Sequence, residues 1–201
     1  MAKVEFFFDL SSPWTYMAFH NIQPILAETG ADVVWRPFLV GGVFNAVNKA
    51  VYAAREDSTG PKARHYAKSL KDWAAWSGLP MNFPSEWHPV RSVHAMRLCC
   101  ALEDDQAALA RFAEAAFAAY FGEQRNLDDP DILRDIADSI GMDGPALLAQ
   151  SQTDPVKLKL RASTDEVIGG FGSPSIFVNG EDMYFGNDQL PLVKKAIESV
   201  D

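Results

Sequence analysis

The sequence has 201 residues, 48% of them hydrophobic and 22% charged, which is ordinary for a soluble globular protein. Its formal net charge of −9 argues against a nucleic-acid or anionic-membrane partner, since either would favour an excess of Lys and Arg. No apolar run approaches the roughly 20 residues of a membrane span, and the start of the chain lacks the pattern of a signal peptide. We therefore expect no membrane partner and a cytoplasmic location.

The chain opens with a strand that turns into a helix. Residues 3–9 are short, aromatic-rich and stopped by a turn, which predicts a buried strand. Ser12 followed by Pro13 is typical of a helix start, where a hydroxyl caps the helix and proline takes the first helical position.

A second strand follows this helix. The helix should run to about Glu28, with Pro24 disturbing it, and Gly30 should end it. Val33 to Phe38 predict the next strand. A β-α-β unit of this length predicts two parallel strands joined by a right-handed crossover.

The middle of the chain, about residues 41–169, is predicted to be helical. Apolar residues recur at helical spacing in Leu109, Phe112, Ala113, Ala116, Phe117 and Tyr120. Asp129 and Pro130 start another helix that Gly141 ends, and a further helix should span Pro155 to Ile168.

The tail returns to strands. Asn179-Gly180 between Ser175–Val178 and Glu181–Phe185 is a strong hairpin signal, and a last helix should begin at about Asp188. Without the helical block, the order β-α-β then β-β-α is the thioredoxin topology. We predict an α/β protein: a single thioredoxin-like unit with its core at about 1–40 and 170–201, and a large helical insertion after the second strand at about 41–169.

The metal-binding and redox residue types are sparse. Cys99 and Cys100 are adjacent and lie in an alanine- and leucine-rich helical stretch, so we expect small buried hydrophobic side chains. The chain has no C-x-x-C pair, and its four histidines lack the spacing of zinc ligands. We expect no metal and no disulfide chemistry.

Ser12 stands where a thioredoxin fold carries its redox cysteines, at the N-terminus of the first helix. Free backbone N–H groups and the helix dipole stabilise an anion at such a position. The Ser12 hydroxyl could therefore donate a hydrogen bond to an external thiolate. The alternative is that Ser12 only caps the helix.

Two later stretches would converge on this turn. In Gly172-Ser173-Pro174, a small residue and a proline precede a β-rich run, as in the cis-proline loop beside a thioredoxin site. A cis bond there would expose the backbone of Ser173 to pair with an extended peptide ligand. Phe185, Gly186, Asn187 and Asp188 end the hairpin, and the last two are good capping residues.

Taken together, Ser12-Pro13, Gly172-x-Pro174 and Gly186-Asn187-Asp188 resemble the 2-hydroxychromene-2-carboxylate isomerase family, which groups with the kappa-class glutathione transferases. The resemblance covers nearly the whole chain. It extends to 35–44, which is similar to the family's second strand and exit loop, to 60–73, which is similar to its lysine-bearing helix, and to Asn82-Phe83-Pro84.

The resemblance implies glutathione as cofactor and a small aromatic carboxylate as substrate. It places glutathione at Ser12, Lys62, Ser173, Pro174, Phe185, Gly186, Asn187 and Asp188, with Asp188 taking the γ-glutamyl ammonium. It places the second substrate at Asn48, Lys49 and Trp87. The two lysines could equally be solvated surface residues, and Trp87 could simply pack. The resemblance also implies a homodimer.

The activity implied is glutathione-dependent cis-trans isomerisation in aromatic-compound degradation, with Ser12 as the catalytic residue. One alternative is a kappa-like glutathione transferase that conjugates electrophiles. Another is a non-catalytic thioredoxin-fold binding module. A disulfide oxidoreductase is disfavoured because Cys99 and Cys100 lie far from the active turn in sequence.

Overall fold

The computed structural model describes residues 2–47, 60–167 and 172–199. A four-stranded sheet in the order β2-β1-β3-β4 forms its centre. The strands are β1 (Lys3–Phe8), β2 (Asp32–Pro37), β3 (Ser175–Val178) and β4 (Asp182–Phe185). β1 runs parallel to β2 and antiparallel to β3, and β3 pairs antiparallel with β4. The predicted parallel pairing of the first two strands is confirmed.

The first helix, α1 (Pro13–Thr29), begins as the sequence predicts. Ser12 is its N-cap, and Gly30 ends it in the left-handed conformation with a φ of 65°. The expected disturbance at Pro24 is wrong, since the helix continues through that residue. Proline removes one N–H donor but keeps a helical φ, and core packing of Ile22 and Leu26 on either side holds the helix together.

Helices fill the chain between β2 and β3 in the residues that the structure describes. They are α2 (Val40–Val47), α3 (Pro61–Trp76), α4 (Val93–Ala101), α5 (Gln106–Phe117), α6 (Pro130–Ser139), α7 (Gly144–Ser151) and α8 (Asp154–Glu166). The predicted apolar stripe from Leu109 to Tyr120 is buried, although its last turn, Ala118–Gly122, is π-helical. The helical insertion after the second strand is confirmed.

The C-terminal hairpin turns at the predicted pair, where Asn179 and Gly180 have φ of 52° and 83°. Positive φ at both turn residues is what a type I′ hairpin requires. The last helix, α9 (Leu190–Glu198), follows a single 3₁₀ turn, Asn187–Gln189. The expected capping by Asn187 and Asp188 is not observed, since neither side chain caps α9; Asn187 is hydrogen-bonded to α1 instead.

One aromatic cluster joins the sheet to the helices. Phe19 of α1 lies 4.5 Å from Trp35 and 5.5 Å from Phe117, measured between ring centroids, and Phe6 lies 5.1 Å from Trp35. Such offset and edge-to-face contacts add to the burial of large apolar surfaces. The core is therefore continuous between the sheet and the inserted helices.

Cys99 and Cys100 lie in this core, as predicted. They are 0% and 1% exposed. Burial raises the pKa of Cys99 well above its ordinary value and that of Cys100 to about 12. Both side chains therefore remain thiols at neutral pH and pack as small hydrophobic groups.

Neither a membrane span nor a metal cluster is found in the described ranges. No helix there is long and apolar enough to cross a bilayer. The same residues include no group of three or more His, Cys, Asp or Glu side chains placed to hold a metal ion.

Candidate active site

The turn between β1 and α1 holds Ser12 in two hydrogen bonds. Its oxygen accepts from the Thr15 N–H at 3.2 Å, which is the capping bond. Its hydroxyl donates to the main-chain carbonyl of Ser173 at 3.0 Å. Ser12 is half-buried at the N-terminus of a 17-residue helix, where backbone N–H groups and the dipole favour a negative charge.

The loop before β3 meets this turn. The Ser173-Pro174 bond is cis, as predicted. The Ser173 side chain is buried, and its Oγ accepts from the Asp9 N–H at 2.8 Å and lies 2.7 Å from the Thr15 hydroxyl. Side chain and main chain of Ser173 are thus both bonded to the β1–α1 region.

A buried carboxylate, Asp9, lies under the same turn, and sequence reasoning missed it. It is 1% exposed. Its Oδ1 accepts from the N–H and hydroxyl of Ser11 at 2.9 and 2.8 Å, and its Oδ2 accepts from the Val40 N–H at 2.9 Å. Burial raises the pKa of Asp9, and hydrogen bonds from Ser11, Val40 and Ser92 partly oppose that rise. Asp9 ends the predicted buried strand, but nothing local in the sequence indicated the distant donors that bind its carboxylate.

The turn after β4 contacts α1 through a pair of amides. Asn187 is buried, and its Oδ1 accepts from the Asn21 Nδ2 at 2.8 Å; the same Asn21 amide donates to the Ser77 hydroxyl at 2.8 Å. Asn21 therefore joins α1, the end of α3 and the 3₁₀ turn. Sequence reasoning missed this residue as well, because an Asn within a helix has no distinctive local pattern.

The remaining residues of this turn differ in their exposure. Gly186 has a φ of 95°, a backbone conformation that favours glycine. Asp188 is exposed and Phe185 is 39% exposed. The turn therefore offers a solvent-accessible carboxylate beside an aromatic ring.

Lys62 is exposed in the first turn of α3. Tyr66 is one turn further along the same helix face, and its ring lies 6.0 Å from that of Trp14, two residues after Ser12. Lys62 therefore stands on the side of α3 that faces the start of α1.

On the side of the predicted second substrate, Trp87 is 41% exposed, and its indole N–H donates to the Gln124 carbonyl at 3.0 Å. Asn48 and Lys49 lie outside the described residues.

A cavity of about 250 Å³ lies beside Ser11. Its walls are Asp9 and Ser11, the start of α2 at Leu39–Gly42, and the segment His88–Val93. The volume is just below the roughly 300–1,000 Å³ of typical small-molecule sites. The wall formed by His88–Val93 directly follows Trp87 in the sequence.

The fold and this turn define a thioredoxin-fold protein with serine in the place of a redox cysteine. The chain belongs to the family of DSBA-like thioredoxin domains, whose profile matches residues 3–198.

Two curated relatives and one solved structure are similar over nearly the whole chain. The 2-hydroxychromene-2-carboxylate isomerase of Sphingobium xenophagum is 26% identical over 210 residues, covering 96% of this chain and 97% of the relative. Glutathione S-transferase kappa 1 of Caenorhabditis elegans is 23% identical over 217 residues, covering 98% and 92%. The structure of a 2-hydroxychromene-2-carboxylate isomerase matches with a TM-score of 0.79 and 22% identity, covering 98% and 94%. The names of the relatives support a glutathione-related isomerase or transferase within the DSBA-like family.

Proposed function

We propose that this protein is a glutathione-dependent isomerase of the 2-hydroxychromene-2-carboxylate type, acting in aromatic-compound degradation. The observation that carries the proposal is the placement of the Ser12 hydroxyl. It lies at the N-terminus of α1 and 3.0 Å from the carbonyl that precedes a cis-proline. The relatives named as isomerases support the choice of reaction.

The residues around this turn fit glutathione in charge and in hydrogen-bonding capacity. Ser12 and the start of α1 provide donors for a thiolate. The Ser173 main chain suits pairing with the cysteinyl residue of an extended peptide. The exposed carboxylate of Asp188 suits the γ-glutamyl ammonium, and Lys62 suits a carboxylate. Pro174, Phe185, Gly186 and Asn187 complete the proposed site by shaping its walls.

When bound, glutathione would supply a thiolate nucleophile for reversible addition to the conjugated double bond of the substrate, which could then rotate as a single bond. No electrons are gained or lost overall, which suits a chain whose own thiols are buried. Ser12 stabilises the sulfur as an anion both before addition and after departure.

For this role the Ser12 hydroxyl exchanges one acceptor for another. It donates to the Ser173 carbonyl in the structure. With glutathione bound, the Ser173 carbonyl could accept a hydrogen bond from a main-chain N–H of glutathione instead. The Ser12 hydroxyl would then be free to donate to the sulfur. Ser12 keeps the capping bond from the Thr15 N–H throughout, so the helix N-terminus stays aligned.

The second substrate is assigned to the cavity beside Ser11 and, from the resemblance to the isomerase family, to Asn48, Lys49 and Trp87. Lys49 or Asn48 would hold the carboxylate and the enolate that develops on addition. The exposed part of the Trp87 ring offers an apolar surface for an aromatic ligand.

A kappa-like glutathione transferase is the second candidate, since a kappa-class relative covers 98% of the chain. It would use the same thiolate site but release a conjugate. The two activities differ in product: an isomerase returns glutathione unchanged, whereas a transferase consumes it.

Calorimetry with glutathione, followed by turnover of 2-hydroxychromene-2-carboxylate with and without glutathione, tests the proposal. We expect binding, isomerisation only when glutathione is present, and no loss of free thiol. Insulin-disulfide reduction is the control and should show no turnover. Absence of glutathione binding would refute the proposal, and thiol consumption with conjugate formation would favour the transferase.

A further inference from the structure

Asp9 is the one Asp or Glu side chain that is buried in the part of the chain the structure describes. Placing an ionised carboxylate out of water is costly unless hydrogen bonds compensate. Neither the proposed thiolate chemistry nor glutathione binding uses this carboxylate directly. The burial of Asp9 under the active turn therefore points to a role other than ligand contact.

The carboxylate joins three segments that are distant in sequence. It accepts both donors of Ser11, next to Ser12, and the N–H of Val40, the first residue of α2. The Ser92 side chain, at the N-cap of α4, lines the same cavity and is close enough to the carboxylate to lower its pKa. Each of these bonds is charge-assisted when Asp9 is ionised, which makes it stronger than a neutral one.

The main chain of Asp9 adds a fourth connection. Its N–H donates to the Ser173 Oγ at 2.8 Å, and its carbonyl accepts from the Ser12 N–H at 3.2 Å. One residue therefore contacts both parts of the proposed thiolate site, the Ser12 turn and the cis-proline loop.

The other two contacts lead to the proposed second-substrate side. Val40 is the first residue of α2, and Ser92 follows Trp87 by five residues in the sequence. Val40 and Ser92 also line the 250 Å³ cavity, whose wall includes Asp9 itself. The carboxylate thus lies between the two halves of the site.

We propose that Asp9 is a positioning residue that holds the Ser12 turn in register with the two segments bounding the second-substrate cavity. The assignment of ligands to the two halves rests on the proposed function, but the mechanical coupling does not. Asparagine at this position keeps the size of the side chain. The carboxylate accepts from Ser11 with one oxygen and from Val40 with the other. An asparagine has only one acceptor oxygen, so its NH₂ group would face one of these two donors.

The first test is amide hydrogen exchange on the ligand-free protein, comparing wild type with Asp9→Asn. Exchange should accelerate, on the order of tenfold, at whichever of the Ser11 and Val40 amides faces the new NH₂ group, as expected when a charge-assisted bond is lost. Amides within α5 and α6 should change little if the fold is retained. Unchanged exchange at both the Ser11 and the Val40 amide would overturn the proposal whether or not glutathione binds.

The second test separates the two halves. Asp9→Asn should raise both the glutathione Kd and the KM of the second substrate, by about tenfold. Ser92→Ala, which removes only the contact to α4, should raise the second-substrate KM and leave the glutathione Kd within about twofold. If the variant only contained less folded protein, apparent kcat would fall while the glutathione Kd and the second-substrate KM stayed unchanged. That pattern would overturn the proposal.

Two further outcomes keep the test decisive. If Asp9→Asn does not fold, Ser92→Ala carries the test alone, and an unchanged second-substrate KM would overturn the proposal. If wild type binds no glutathione, the proposed function is wrong, while the exchange experiment still decides the role of Asp9.

Discussion

The β1–α1 turn and the middle of α4 differ in how each would affect a thiol. At the turn, Ser12 sits among backbone N–H groups at the start of α1, where a thiolate is stabilised. In α4, Cys99 and Cys100 are excluded from water, and burial raises both pKa values. The protein keeps its own sulfur unreactive and leaves the anion-stabilising position to a hydroxyl. This contrast supports the proposal that the turn stabilises the sulfur of an external ligand, and four predictions test it.

The largest contrast should follow Ser12→Cys, which moves a thiol to the turn. We expect the new thiol to have a pKa below the roughly 8.5 of free cysteine, whereas the pKa of Cys100 is about 12. A thiol-alkylating reagent should label the new thiol of the native protein at neutral pH on the order of 10³-fold faster than it labels Cys99 or Cys100. This figure allows for the greater intrinsic nucleophilicity of high-pKa thiols. Mass spectrometry would locate the label, and equally rapid labelling of Cys99 or Cys100 would refute the contrast.

Ser12→Ala should lower activity on the order of 10²-fold or more, as for loss of an oxyanion donor. Loss of the capping bond from Thr15 should cost only about 1 kcal/mol in unfolding free energy. Steady-state kinetics and denaturant unfolding measure the two effects. Ser11→Ala is the matched control and should be mild, since the Ser11 N–H still donates to Asp9. An active Ser12→Ala variant with normal glutathione affinity would leave Ser12 as a cap only.

Lys62→Ala and Lys49→Ala should separate the two ligands. Lys62→Ala should raise the glutathione Kd by about tenfold, the scale of one charge-assisted hydrogen bond. Lys49→Ala should chiefly raise the second-substrate KM or lower turnover. Screening over about 8 Å at physiological salt limits the effect of the acidic surface elsewhere. Changes within twofold in both variants would identify both as solvated surface lysines.

The smallest effect concerns pH. The raised pKa of Asp9 means that the folded state holds this proton to higher pH than the unfolded state does. Its contribution to stability is therefore full below the unfolded pKa and declines as pH rises through the folded pKa. The difference in unfolding free energy between wild type and Asp9→Asn should therefore move against wild type as the pH rises above the roughly 3.9 of an unfolded Asp side chain. Urea titrations at several pH values would measure it, and a pH-independent difference would contradict it.

The sequence by itself determined the elements whose causes are local. A capping serine and proline start α1, Gly30 ends it, and Asn179-Gly180 turns the hairpin. These signals act within a few residues, through φ preferences and capping bonds. Burial of the adjacent cysteines likewise followed from the apolar stretch around them. The topology then placed Ser12 beside the cis Ser173-Pro174 bond.

Only the tertiary structure decided which polar groups meet. Asp9 and Val40 are 31 residues apart, and Asn21 and Asn187 are 166 apart, so no local pattern could pair them. The continuation of α1 through Pro24 was decided in the same way, because packing of its neighbours outweighs one missing hydrogen bond. The physical reason is that a buried polar group is stabilised by whatever donor or acceptor the fold brings to it, and that partner is set by the packing of distant segments rather than by the residues beside it.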